Sequence, residues 1–341
     1  MVELRKEGYL CCFLDPQSGF ERKEWKGETR WDPLTGDMVR VFELGLGKLP
    51  EMDMEEMLRR GTEGSCPFCP GALEKVTPKF DESLVKEGRM RFGEVTVLPN
   101  RLPFDKYSGI VVLGDRHYVP LAELDPDLVF TGLLAAQRFL KRVVEVDPGV
   151  RFISINWNYL PMSGGSVIHP HLQAMGGELP TNYQGRMIEA SRKFYEKRGR
   201  VFWEELIEEE KRVQARYLGA VGRVEWFTTF APRGYADITA VFPHRGSILD
   251  LEEDDLRDFS RGLERVFRYY VDYNHYSFNL SIYSGEVGRE GGFWVNARMV
   301  TRRSLPPVGA SDVNYFEKLH GQTVVYKMPE RLCEELRGYF P

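Results

Sequence analysis

The side chains best placed to do chemistry lie in one stretch, Asn156-Trp-Asn158-Tyr-Leu-Pro-Met-Ser163-Gly164-Gly165-Ser166-Val-Ile-His169-Pro-His171-Leu-Gln173. Near neutral pH an imidazole serves as nucleophile, proton carrier or metal ligand. Small residues at 163–166 leave their backbone N–H groups uncovered, which suits an anion-binding nest. Imidazoles beside such a nest point to chemistry at phosphorus. The plainer alternative is that two histidines two residues apart form a metal pair or are partly exposed polar groups.

The element that must position them reads as a strand. Val167 and Ile168 are β-branched, and side chains alternate faces along a strand. That places His169, His171 and Gln173 on one face and Pro170 and Leu172 on the other. Proline donates no ladder bond, so the strand should be at an edge or locally bulged.

This stretch resembles the His-x-His-x-Gln strand of the galactose-1-phosphate uridylyltransferase family, a branch of the histidine triad superfamily. Asn158, Ser166, His169-Pro170-His171 and Gln173 match its pattern position by position. Leu172 departs, because glycine is usual there, but its side chain should face away from the site.

The resemblance implies a double displacement. Neutral His171 attacks the α-phosphorus of a nucleoside diphosphate sugar, with its other ring nitrogen held by a carbonyl such as that of His169. Gln173 donates to a phosphate oxygen, Gly164, Gly165 and Ser166 line the oxyanion, and Asn158 holds the distal phosphate. Superfamily hydrolases carry histidine where Gln173 stands, which favours transfer to a phosphate over transfer to water. The expected reaction is UDP-glucose–galactose-1-phosphate uridylyl transfer through a uridylyl-histidine. The alternatives are phosphorolysis of an ADP-sugar or diadenosine polyphosphate by the same histidine, or a non-catalytic zinc-containing nucleotide-binding protein.

Elsewhere, Cys66-Pro-Phe-Cys69-Pro-Gly71 is a Cys-x-x-Cys turn. It presents two thiolates to one tetrahedral metal, or else forms a redox pair, which would require it to open a helix. His117 and His169 are candidate further ligands. In the resembling family the equivalent four positions bind zinc, and four protein ligands imply a structural metal with no open position.

Thr29-Arg30-Trp31-Asp-Pro-Leu-Thr-Gly36 reads as a hairpin turn and resembles the family's opening signature. The basic segment that follows in the family, some of it contacting substrate across a dimer interface, is reduced here to Gly47-Lys48-Leu49-Pro50. Asn100 matches a nucleotide-side asparagine, or is a turn residue. Glu317 matches the sugar-reading glutamate, or is an exposed helix glutamate.

Asp125-Pro126-Asp127 carries the signals of a helix start, and apolar residues run on one side to about residue 145. A charged helical region is expected over residues 184–215. Strand–strand–helix–strand–strand then recurs from about Val224, with Asn296 and Arg298 standing where the first copy has histidines, so no second metal is expected. His244 and His275 read as loop residues. Residues 1–27 show no clear pattern.

The expected fold is therefore α+β, with tandem histidine-triad-like halves of antiparallel sheet and packed helices. Residues 1–220 would form the catalytic half and 221–341 a degenerate half contributing to sugar recognition.

The chain of 341 residues is 42% hydrophobic with net charge −5. That argues against a partner bound by phosphate neutralisation such as nucleic acid. No apolar run reaches about 18 residues, and the charged N-terminus does not read as a signal peptide. Five cysteines make a disulfide framework unexpected. A cytoplasmic enzyme is expected, and the resemblance implies a homodimer.

Overall fold

The structure, a computed structural model, describes residues 2–45, 48, 51, 58, 66–305 and 310–341. Apart from Lys48, the reduced basic segment at 47–50 lies outside the described residues.

Apolar alternation in the middle of the chain builds one ten-stranded sheet. Its strands are β4 (Met90–Phe92), β5 (Val95–Pro99), β6 (Tyr107–Leu113), β7 (Phe152–Tyr159), β8 (His171–Gly177), β9 (Tyr217–Val221), β10 (Val224–Thr228), β11 (Tyr235–Val241), β12 (Ser277–Tyr283) and β13 (Asn296–Arg302). The spatial order is β4-β5-β6-β8-β7-β12-β13-β11-β10-β9. The order reads alike from both ends, so the repeated motif meets at its centre, where β7 pairs antiparallel with β12.

Two long helices cover one face. Pro126–Val146 begins as expected, with the Asp125 carboxylate accepting from the Asp127 N–H, and Glu253–Asp272 occupies the matching place in the repeat. Between them and the sheet lies the main core, which includes Val111, Leu133, Phe139, Trp157, Leu172, Phe259, Phe267 and Phe278. Leu172 is fully buried there. Room for it comes from Gly132, where a Cβ would run into Leu113 and approach Leu172 Cδ1 to 3.4 Å.

The opposite face carries the polar alternates, Gln173, Asn156, Ser281 and Arg298, in one row across β8, β7, β12 and β13. Helices Asn182–Arg198 and Phe202–Val213 form a second core with residues of β10, β11 and the loop before β13. The expected single helical region is two helices. Gly199 takes φ +66, and its N–H donates to Tyr195 O, which ends the first.

The N-terminal residues, unpatterned in the sequence, form a long ribbon of β1 (Lys6–Asp15) and β2 (Glu21–Trp31), continued by β3 (Met38–Phe42). Both faces of β1 are open, so nothing imposes alternation on its residues. The turn between β2 and β3 falls where Pro33 and Gly36 place it. β14 (Ser304–Leu305) and β15 (Ala310–Ser311) make a small ribbon, and β16 (Thr323–Val325) lies parallel to β3.

Candidate active site

His169 and His171 face different surroundings because the strand begins later than the residue pattern suggests. β8 starts at His171 and runs between β6 and β7, so it is an interior strand and neither an edge nor a bulge. Pro170 sits just outside it, and its carbonyl accepts from the Leu113 N–H at 2.9 Å. His169 therefore does not share the strand face with His171 and Gln173. Its ring turns toward the Cys66–Cys69 turn.

His171 is buried, and its Nδ1 lies 2.8 Å from the His169 carbonyl oxygen. A carbonyl only accepts, so Nδ1 carries the proton and Nε2 keeps its lone pair. Burial lowers the basicity of the ring and outweighs the opposing effect of the bond to His169. The ring is thus held neutral with one nitrogen free. Phe68 packs edge-on against it, with ring centroids 5.2 Å apart.

On the neighbouring strand, Asn156 stands opposite Gln173, and continuing that register puts Asn158 opposite His171. Asn158 Oδ1 accepts from Asn279 Nδ2 at 2.6 Å. Beyond it the chain turns sharply at Leu160, a buried non-glycine residue with φ +68 and ψ 162. Such a conformation costs about 1–3 kcal/mol and persists only where the surroundings hold it. Here the Leu160 carbonyl accepts from both the N–H and the hydroxyl of Ser163. Gly164 follows at φ +90, a value that favours glycine. A Cβ on Gly165 would lie 3.3 Å from Asn158 O, so the loop folds closely over the strand. Ser166 is exposed.

Cys66, Cys69, His117 and His169 come together with all ligand atoms within 4.8 Å of one another. Cys69 Sγ is 3.3 Å from His117 Nδ1 and 3.8 Å from His169 Nδ1, and Cys66 Sγ is 3.9 Å from His169 Nδ1. Ordinary zinc bond lengths place sulfur and nitrogen about 3.5 Å apart on a tetrahedron. The donor set therefore fits such an ion. His169 Nε2 lies 2.8 Å from Gly114 O, so that nitrogen carries the proton and Nδ1 is left to bind metal. Burial, the main influence, brings the His169 pKa down to about 4. The cysteine turn does not open a helix: Gly71 at φ +82 precedes the single turn Leu73–Val76. That removes the context a redox pair would need.

Two further predicted residues are engaged in local hydrogen bonds. Asn100 follows β5, two strands from β8, and its Oδ1 accepts from the Leu102 N–H in a local turn. Glu317 lies in Tyr315–His320, where its carboxylate accepts from the Asn314 N–H in a capping box. Asn279 and Arg302 escape sequence reasoning. Arg302 Nη1 donates to Asn279 Oδ1 at 2.9 Å, so both reach the His171 end of the sheet from the second half. Their only signal is a polar residue on alternate strand positions.

The register also corrects the reading of the repeat. Gln173, Asn156, Ser281 and Arg298 form one row, so Arg298 answers to Gln173, and Asn296, two residues earlier, to His171. Trp294 takes the place of His169, and its ring meets His244 at 4.8 Å. Arg298 is buried against Asp237 and Asp32. His275 is buried among Tyr235, Tyr269 and Tyr270.

Comparison with known proteins agrees with this architecture. No family model matches the chain. It is 31% identical over 338 residues to an uncharacterized protein from Archaeoglobus fulgidus, with 98% of each chain covered. An ADP-glucose phosphorylase from Arabidopsis thaliana, solved with bound ADP-glucose, superposes with a TM-score of 0.71 at 17% identity, covering 91% of this chain and 98% of that one. A uridylyltransferase superposes at 0.68 and 18% identity, covering 92% and 98%. The chain belongs to one family with the Archaeoglobus fulgidus protein, and its fold is that of the ADP-glucose phosphorylase and the uridylyltransferase.

Proposed function

We propose that the chain is a nucleotidyltransferase that works by double displacement through His171. The observation that carries this reading is the bond from His171 Nδ1 to the His169 carbonyl, which leaves a neutral, buried ring with one free nitrogen. In the first step Nε2 attacks the α-phosphorus of a nucleoside diphosphate sugar. The P–N bond forms as the P–O bond to the sugar phosphate breaks, and sugar 1-phosphate leaves. In the second step a phosphate oxygen of the acceptor attacks the same phosphorus and the P–N bond breaks. Dividing the transfer in two lets one site serve both half-reactions.

Gln173 would donate to a non-bridging oxygen without adding a charge that over-stabilises the adduct. Gly164, Gly165 and Ser166 would supply donors to the charge that develops. Asn158 would hold the distal phosphate, Asn100 the nucleotide and Glu317 a sugar hydroxyl. Zinc, held by Cys66, Cys69, His117 and His169, would brace the site and leave the chemistry to the imidazole. Phe68 lies between the two cysteines and packs on His171, so the metal turn also steadies the nucleophile. Residues 221–341 would shape the pocket.

The specific substrates proposed are UDP-glucose and galactose 1-phosphate. ADP-sugar phosphorolysis is the second reading. It is favoured by the ADP-glucose bound to the Arabidopsis phosphorylase of the same fold. Incubation with UDP-glucose or ADP-glucose, each labelled in the nucleotide, followed by intact-mass analysis, separates them. A uridylyl adduct discharged by galactose 1-phosphate supports the first reading. An adenylyl adduct discharged by inorganic phosphate supports the second. Absence of both adducts contradicts both readings.

A further inference from the structure

The Asn158 amide can present either an acceptor or a donor to the pocket, and only a donor suits an anion. Which one it presents is decided outside the first half of the chain. Asn279 faces Asn158 across the central β7–β12 pair. Asn279 Nδ2 donates to Asn158 Oδ1 at 2.6 Å and to Ser163 O at 2.9 Å, and Asn279 Oδ1 accepts from Arg302 Nη1 at 2.9 Å.

A guanidinium only donates and a backbone carbonyl only accepts. Asn279 lies between one of each, so its amide has a single satisfactory orientation. Turning it over would set an NH2 against the guanidinium and an oxygen against Ser163 O. With Asn279 fixed, Asn158 must offer it oxygen, and the Asn158 NH2 is left to point elsewhere.

Arg302 is itself held. Its Nε lies 3.1 and 3.2 Å from the two Asp312 oxygens, and its Nη2 donates to Asp312 Oδ1 at 2.9 Å. The same carboxylate accepts from the Arg303 N–H at 2.8 Å. Asp312 leads into the segment bearing Asn314 and Glu317.

We propose that Arg302 and Asn279 are positioning residues that lock Asn158 as a hydrogen-bond donor toward the distal phosphate of a nucleoside diphosphate, and tie the residue 163–166 loop to the same anchor. This rests on the proposed role of Asn158 as a phosphate ligand. It gives the second half of the chain a direct part in the site of the first.

The test uses the full chain and calorimetric titration with UDP, UMP, ADP and AMP. The variants are N158A, N279D, R302L and the double variant N158A/R302L. The carboxylate introduced by N279D keeps the shape of the amide but cannot donate, so Asn158 must turn its NH2 toward it. A hydrogen bond to a charged group supports a loss of about ten- to hundredfold. That loss is expected in diphosphate affinity for N279D and R302L, with monophosphate affinity within about twofold of wild type. Because the relay acts through Asn158, N158A/R302L should bind no more weakly than N158A alone. Arg302 serving only the fold would weaken all four ligands alike, or add its full effect to that of N158A, and either result overturns the relay.

A wild-type chain that binds UDP no better than UMP, and ADP no better than AMP, overturns it as well. If wild type binds a diphosphate in the expected pattern but no nucleotidyl adduct forms from a sugar nucleotide, the proposed reaction fails and the relay stands. If the adduct forms and the variants behave additively, the relay fails and the reaction stands.

Discussion

His171 and Asn296 open equivalent strands with the same bond. His171 Nδ1 lies 2.8 Å from the carbonyl of His169, and Asn296 Nδ2 donates to the carbonyl of Trp294 at 3.1 Å. The second half keeps the side-chain anchor but carries no imidazole there, and an amide offers no basic nitrogen. Substituting Asn296 with alanine should therefore leave nucleotidyl transfer onto His171 intact. It should lower stability by about 1–2 kcal/mol through loss of one buried bond. Thermal melting and adduct mass, measured on one preparation, check both halves of this expectation.

The metal corner should behave as a brace. Metal analysis should find one zinc per chain, and Cys69→Ser should remove it. The loss should cost about 3 kcal/mol and lower Tm by about 5 °C. Because Phe68 rides on the same turn and packs on His171, the adduct should form more slowly without disappearing. Full activity in a zinc-free chain would show that the turn is not needed to hold the ring.

Glu330 joins the N-terminal ribbon to the second half. Its carboxylate accepts from Arg30 at 2.9 Å and from Arg216 at 2.8 Å. Burial alone would raise its pKa, but the bonds and charges of Arg30 and Arg216 outweigh this and hold it at about 2. A carboxyl depressed in the folded chain stabilises fully above its unfolded pKa. That contribution is lost as pH falls from about 4.5 toward 2. The shift corresponds to about 3 kcal/mol. Denaturation of Glu330→Gln across that range should show lower stability at neutral pH and a flatter acid limb than wild type.

The homodimer that the family resemblance implies is expected to bury the exposed apolar residues of the ribbon. Leu10, Leu14, Phe20 and Trp25 are each at least half exposed on it. The register puts Leu10 and Leu14 on one face of the ribbon and Trp25 on the other, so both faces expose apolar groups that a partner copy could cover. Light scattering should give a dimer for wild type and a monomer for the double variant Leu14→Lys with Trp25→Lys. A wild-type monomer at micromolar concentration would contradict the dimer.

Much of the framework is legible in the order of the amino acids. The long helix from Pro126 announces itself through its cap, its proline and its apolar spacing, and the repeat of strands about a helix through recurring alternation. The residues of the metal corner stand out because cysteine pairs and histidines are few. The strand start does not. Val167 and Ile168 have strand character, but the turn of His169 toward the cysteines, with Pro170 next to it, delays pairing to His171. The Asn158–Asn279 bond is invisible in the sequence because its residues are 121 apart and only the register of β7 against β12 joins them. Pattern alone matches Asn296 and Arg298 to the wrong residues for the same reason, since a shift of two along a strand leaves alternation unchanged.

The central claim is that a nucleotide becomes bonded to the imidazole of His171. Intact-mass and peptide-level mass spectrometry after brief exposure to UDP-glucose or ADP-glucose tests it most directly. The expected result is one nucleoside monophosphate on the peptide containing His171, absent from His171→Ala and discharged by a sugar phosphate or inorganic phosphate. Sugar-nucleotide exchange that proceeds in His171→Ala at the wild-type rate would contradict it.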